Sequence, residues 1–190
     1  MTDAQEIDRI EIASAEDLWA WLEANHAGPS VWLTTWKAAH RDKYVSRDEV
    51  LDALVAYGWT DGRRLKLDED RTMQLIAPRQ QTAWARSYKV RAERLIAEGR
   101  MQAPGMAAME AGRASGQWNS SDPIDDLVVP DDLRAALDQA AASAWFDQAA
   151  PSYRRNVLRY LASAKRDATR AKRVAQLTSY SARGERLPNY

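Results

Sequence analysis

The sequence predicts an α+β protein: a small antiparallel sheet of three or four strands packed with helices, followed by an all-helical C-terminal lobe. Three observations predict it. Val31-Trp32-Leu33-Thr34-Thr35-Trp36 is dense in β-formers, and the runs at 64–67 and 73–77 face each other across Asp68-Glu69-Asp70 as a hairpin. Two serine-headed capping boxes precede apolar stripes of helical period. From Pro130 onward the apolar spacing is helical throughout.

The elements follow in order. A further edge strand is expected between Ile7 and Ile12. Ser14-Ala15-Glu16-Asp17 opens a helix carrying Leu18, Trp21 and Leu22, which should end near Asn25, before Gly28-Pro29. The strand at 31–36 leads into a polar loop, 38–45, with a mobile tip. Ser46-Arg47-Asp48-Glu49 is a full capping box for a helix striped by Val50, Leu51, Leu54 and Val55, and Gly58 supplies the stop. After the hairpin and Pro78, a long helix is expected from Gln81 or Thr82, with Trp84, Tyr88, Ala92 and Leu95 on one face and Gly99 at its end. Pro104 suits a first helical turn, and Met106 and Met109 extend that short helix to about Arg113.

Residues 115–129 read as a linker that Trp118 pins to the body. This divides the chain into an α+β domain at 1–115, a linker at 116–129 and a helical domain at 130–190. The last part should hold about four helices. One starts at Pro130 with Leu133 and Leu137, a second holds Trp145 and Phe146, a third is striped by Tyr153, Val157, Tyr160 or Leu161, and Ala164, and Asp167 caps a fourth that stops at Gly184.

Composition narrows the function. With no Cys, disulfides, thiolate catalysis and Cys-based metal sites are excluded. The two histidines, His26 and His40, fall in loops with no metal-ligand spacing, and no Gly-rich phosphate loop or nucleophile–base pair is evident. No metal site, cofactor or catalytic residue is therefore expected, and the sequence points away from an enzyme. The acidic start lacks the parts of a signal peptide and no apolar run could span a bilayer, so a cytoplasmic location is expected. The net charge of zero hides a split: residues 151–190 carry ten Lys or Arg against Asp167 and Glu185, a balance of +8, so the first 150 residues carry −8. That split fits two lobes that attract each other, or a tail that meets phosphate or an anionic surface.

Several motifs resemble the YdeI/OmpD-associated family, also labelled bacteriocin-protection. They are Trp19-Ala20-Trp21-Leu22, Gly58-Trp59-Thr60-Asp61-Gly62, Lys66-Leu67-Asp68, Pro78-Arg79, Trp84, the run from Arg94 to Met101, and the run from Ala164 to Arg173 closed by Gly184. The resemblance covers nearly the whole chain. It implies a small α+β lobe followed by a helical lobe and an association with tolerance of antimicrobial agents or envelope stress, and it brings no established catalytic residues. The chain departs from the family pattern at Thr60, an apolar position there, and at Ala85 and Tyr88, where the family usually has Ser and Asn.

Trp59, Asp61, Arg79 and Trp84 flank the predicted hairpin. An arginine beside a carboxylate and indole faces can hold a planar or anionic ligand; the plainer reading makes Asp61-Gly62 a turn, Arg79 its ion-pair partner and both indoles core. In the ligand reading Trp59 and Trp84 stack, Arg79 holds an anionic group, Asp61 orients it and Tyr88 replaces the absent Asn. Arg86, Lys89, Arg91 and Arg94, with the C-terminal cluster, offer a nucleic-acid alternative, though their spread around the helix reads as a solvated face. The expectation is a non-enzymatic protein binding a small aromatic or anionic molecule; the alternative is a nucleic-acid-binding or regulatory protein using basic helices.

Overall fold

A computed structural model describes residues 7–80 and 83–190. The chain divides into two units, Met1–Ser120 and Ser121–Tyr190. In the first lie β1 (Arg9–Glu11), α1 (Ala15–Asn25), β2 (Val31–Trp36), α2 (Arg47–Ala56), β3 (Trp59–Lys66), β4 (Arg71–Pro78), α3 (Arg86–Ala97) and α4 (Ala103–Ala114). The second holds α5 (Asp122–Asp125), α6 (Asp131–Gln139), α7 (Ser143–Gln148), α8 (Pro151–Ala162) and α9 (Asp167–Ala182). The α+β class stands, with the sheet in the first unit and the second entirely helical among its described elements. No helix among the described residues is long and apolar enough to cross a membrane.

The strands run in the order β1-β2-β4-β3. The hairpin β3–β4 and the pair β2–β4 are antiparallel, while β1 runs parallel to β2. The sheet is thus mixed rather than purely antiparallel. The reason is local: α1 carries the chain back to the starting end before β2 begins, as a parallel connection requires. Both capping boxes form. Ser14 accepts from the Asp17 N–H at 3.1 Å, Ser46 accepts from the Glu49 N–H at 3.2 Å, and each acid returns a bond to its cap backbone. Gly58, at φ +72°, ends α2 in the left-handed region that favours glycine.

Two predicted boundaries move. The strand β3 begins at Trp59, five residues before the alternating run suggested, because an irregularity between Asp61 and Arg64 breaks the period that would have revealed it. The predicted start of α3 at Gln81 or Thr82 lies outside the described residues. Trp84 precedes the helix, Ala85 at its cap is extended, and the helix begins at Arg86. The Trp84 N–H bonds instead to the Gln117 carbonyl at 3.1 Å, so its helical spacing from Tyr88 is coincidental. Likewise Asp167 is the first residue of α9, with Arg166 at the cap; its charge faces the helix N-terminus rather than closing it.

One side of the sheet, through Val31, Leu33 and Ile76, packs on Leu18, Leu22, Leu54 and Leu95 of α1, α2 and α3. A separate core in the second unit gathers Leu133, Leu137, Phe146, Tyr153, Val157, Leu161 and Leu177. Segment 116–129 is structured: Trp118 packs on the first core, and Ile124, Leu127 and Val129 on the second.

Candidate functional site

Of the five candidate ligand residues, the fold gathers four. Asp61 sits on β3 opposite Ile76, beside the irregularity that follows it. Arg79 follows Pro78 at the end of β4, its N–H bonded to the Gly58 carbonyl at 2.8 Å. Trp84 is tethered to the turn after α4, and Tyr88 occupies the first turn of α3. The Arg79 guanidinium lies over the Trp84 ring at 4.1 Å and the Tyr88 ring at 4.8 Å. The Tyr88 hydroxyl donates to Asp61, whose other oxygen accepts from Gln74 Nε2 at 2.8 Å and meets Arg47 at 3.7 Å. Trp59 stands apart. It is fully buried, its indole N–H donates to the His26 carbonyl at 2.9 Å, and its ring packs edge-on against Trp21.

Burial sets the electrostatics of this cluster. Desolvation pulls the Arg79 guanidinium below its ordinary value, opposed by the nearby Tyr88 and Asp61. Burial also pushes the Tyr88 phenol up, and the hydrogen bond to Asp61 adds to the rise, so at neutral pH the hydroxyl is a donor. Beside Arg79 and Trp84 opens a hollow of about 170 Å³, bordered also by Gln80, Gly112, Ser115 and Gln117. Trp84 itself is only 1% exposed and packs against Trp118, the ring centroids 4.9 Å apart and the planes tilted by 44°. A partly desolvated cation at the rim of a small hollow attracts an anion, and the indole behind it supplies an apolar wall.

The basic residues of α3 are not one uncommitted face. Arg91 and Arg94 both bond Asp52 of α2, Arg91 also reaches Asp48 at 2.6 Å, and Arg94 meets Glu98 at 3.0 Å. Burial raises the Asp52 carboxyl, but the hydrogen bonds from Arg94 and Arg91 outweigh it and hold it below the usual carboxylate range. The turn Asp68-Glu69-Asp70 is likewise engaged: Asp68 receives Arg71, and Asp70 meets His40 at 2.8 Å. Among the described residues no group of three or more His, Asp and Glu is placed to hold a metal.

Sequence reasoning missed a larger hollow in the second unit. A groove of about 690 Å³ runs between α6 and α9, lined by Ala136, Ala140, Ala171, Val174 and Ala175, with the Asp132–Arg170 ion pair at 2.6 Å on its rim. Small residues at helical spacing on two adjacent helices were the available signal.

Comparison with known families divides the chain in the same sense. Residues 10–108 match a domain of unknown function, DUF8412, and residues 126–184 match the family described as Bacteriocin-protection, YdeI or OmpD-Associated, OmdA. The first match spans just over half of the chain, which therefore belongs to the DUF8412 family; its C-terminal helical segment is similar to the OmdA family. The OmdA match is confined to that segment, so the Trp59, Asp61, Arg79 and Trp84 motifs fall under the DUF8412 match instead. No curated protein and no solved structure matched the chain.

Proposed function

We propose that this is a non-catalytic cytoplasmic protein, associated with antimicrobial protection as the OmdA match at residues 126–184 suggests, and that it binds a small anionic aromatic molecule at the Arg79 hollow. One observation carries the reading: the Arg79 guanidinium, partly desolvated and stacked on Trp84 and Tyr88, borders a cavity of about 170 Å³. That volume is below the range of about 300–1,000 Å³ typical of drug-sized ligands, so the ligand is a single ring carrying a carboxylate or similar anion. Arg79 binds the anion, Trp84 and the glycine surface of α4 wall the ring, and Asp61 with Tyr88 orients the guanidinium. Trp59, sealed in the core, supports the β3 backbone and does not touch the ligand.

Intrinsic tryptophan fluorescence against a panel of aromatic acids, antibiotics and neutral analogues tests this. The expected result is quenching by anionic aromatics that Arg79→Met weakens at least tenfold, as loss of a charge-assisted contact of about 1.5–3 kcal/mol implies. No response to any class overturns it. A second reading is favoured by the groove between α6 and α9, whose volume suits a larger apolar ligand and which lies inside the OmdA match. Ala175→Trp, which fills that groove, would abolish binding under the second reading and leave it unchanged under the first.

A further inference from the structure

The sheet has a second face that the α1–α3 core does not use. Along β2, Val31, Leu33 and Thr35 alternate with Trp32, Thr34 and Trp36; across the sheet the second set pairs with Leu75, Met73 and Arg71 of β4. Leu65 of β3, 40% exposed, pairs with Met73 on the same face. None of Trp32, Trp36, Leu65, Met73 and Leu75 belongs to the core cluster, and both indoles are half-buried.

Cations surround these rings. The Arg63 guanidinium lies over Trp32 at 5.2 Å, and the Lys43 ammonium and Arg71 guanidinium lie over Trp36 at 4.6 and 5.4 Å. Arg71 is committed to Glu11 and Asp68, at 2.6 and 2.7 Å. Arg9, opposite Trp32 on β1, Lys43 and Arg63 make no ion pair among the described residues. Two aromatic platforms four residues apart on one strand, about 13 Å at ordinary strand rise, therefore sit beside three positive charges that have no ion-pair partner among the described residues.

We infer that this half-buried face, on which Thr34 between the two indoles is fully covered, binds a single-stranded segment of nucleic acid, with bases on Trp32 and Trp36 and phosphates on Arg9, Lys43 and Arg63. Stacking on aromatic rings and neutralisation of phosphates are the two contacts that hold single strands without reading sequence. The cations now resting on the indoles move to phosphates as bases take their places, exchanging one favourable contact with each ring for another. A second copy of the same face would bring like charges together, and an uncharged apolar partner would leave all three cations unmatched. The charge pattern selects a polyanion, and the rings select one that carries flat bases. This surface is distinct from the basic helices, whose Arg91 and Arg94 are held by Asp52.

The test uses the full chain with unlabelled twelve-nucleotide oligo-dT and oligo-U, read by tryptophan quenching at 50 and 200 mM salt. Wild-type protein should bind both, with affinity falling as salt rises. Trp36→Ala should lose about tenfold or more, and the surface pair Lys43→Glu with Arg63→Glu, whose fold circular dichroism verifies, should abolish binding. Lys172→Glu on α9 should bind as wild type, and Arg79→Met should leave oligonucleotide binding intact, which separates this site from the Arg79 hollow. Absence of binding at 50 mM salt overturns the inference. So does binding that Trp36→Ala and the charge reversal leave unchanged, or equal competition by poly-glutamate or anionic vesicles, which would show a surface that takes any polyanion.

Discussion

Gly112 shows how tightly Trp84 is seated. A β-carbon at Gly112 would stand 2.6 Å from Trp84 Nε1, closer than real contacts come, and 3.1 Å from its Cδ1, tighter than most. In an unconstrained helix, Gly→Ala would stabilise by up to about 1 kcal/mol. Here Gly112→Ala should destabilise by about 1–3 kcal/mol through overpacking, measured as a lower urea midpoint. Stabilisation would mean that Trp84 is loosely held and that the hollow is not preformed. At the same scale, Tyr88→Phe removes the donor to Asp61. The loss of about 1 kcal/mol expected for one hydrogen bond should appear with weaker ligand binding, since Asp61 and Tyr88 together flank the guanidinium.

Between elements, Asp52 of α2 ties that helix to α3 through both Arg91 and Arg94. The Asp52 carboxyl is held below its usual range in the folded protein, so its contribution is present above the ordinary carboxylate value near 3.9. It is lost as pH falls through the lower folded-state value. Asp52→Asn should cost about 2 kcal/mol at neutral pH, and the gap between variant and wild type should close below about pH 4 in acid-unfolding curves. A gap that persists at pH 2 would assign the loss to packing instead. Elements of this kind were readable in advance where local chemistry decides them: Ser14 and Ser46 announced α1 and α2, and the β-formers at 31–36 announced β2. The start of β3 was hidden because its irregularity erased the alternation. The break before α3 was hidden because Trp84 and Tyr88 happen to lie at helical spacing. The parallel entry of β1 depends on the path of α1, which no local pattern records. Of the site, the gathering of Asp61, Arg79, Trp84 and Tyr88 was legible from the hairpin that joins them. The burial of Trp59 follows the plainer reading, in which both indoles are core; its partner Trp21 was not legible, because that contact depends on where α1 returns.

At the scale of the molecule, two separate apolar cores and two family matches that meet between residues 108 and 126 motivate a two-domain proposal. Much of the positive charge of the second unit is spent inside it: Arg170 meets Asp132, Arg134 meets Asp147, and Arg159 meets Asp125. A fragment covering residues 121–190 should accordingly be helical and unfold cooperatively on its own, as followed by circular dichroism in urea; a fragment without a cooperative transition would mean that the units fold as one. The placement of ligand binding in the first domain is the claim on which the functional account rests. Its most direct measurement is the indole N–H region of a ¹⁵N-labelled full chain titrated with benzoate and with neutral toluamide. The account predicts that benzoate alone moves the Trp84 and Trp118 signals, and that Arg79→Met abolishes the shift. Benzoate-dependent shifts confined to Trp145 of the second unit, or no shift at any of the eight indoles, would contradict it.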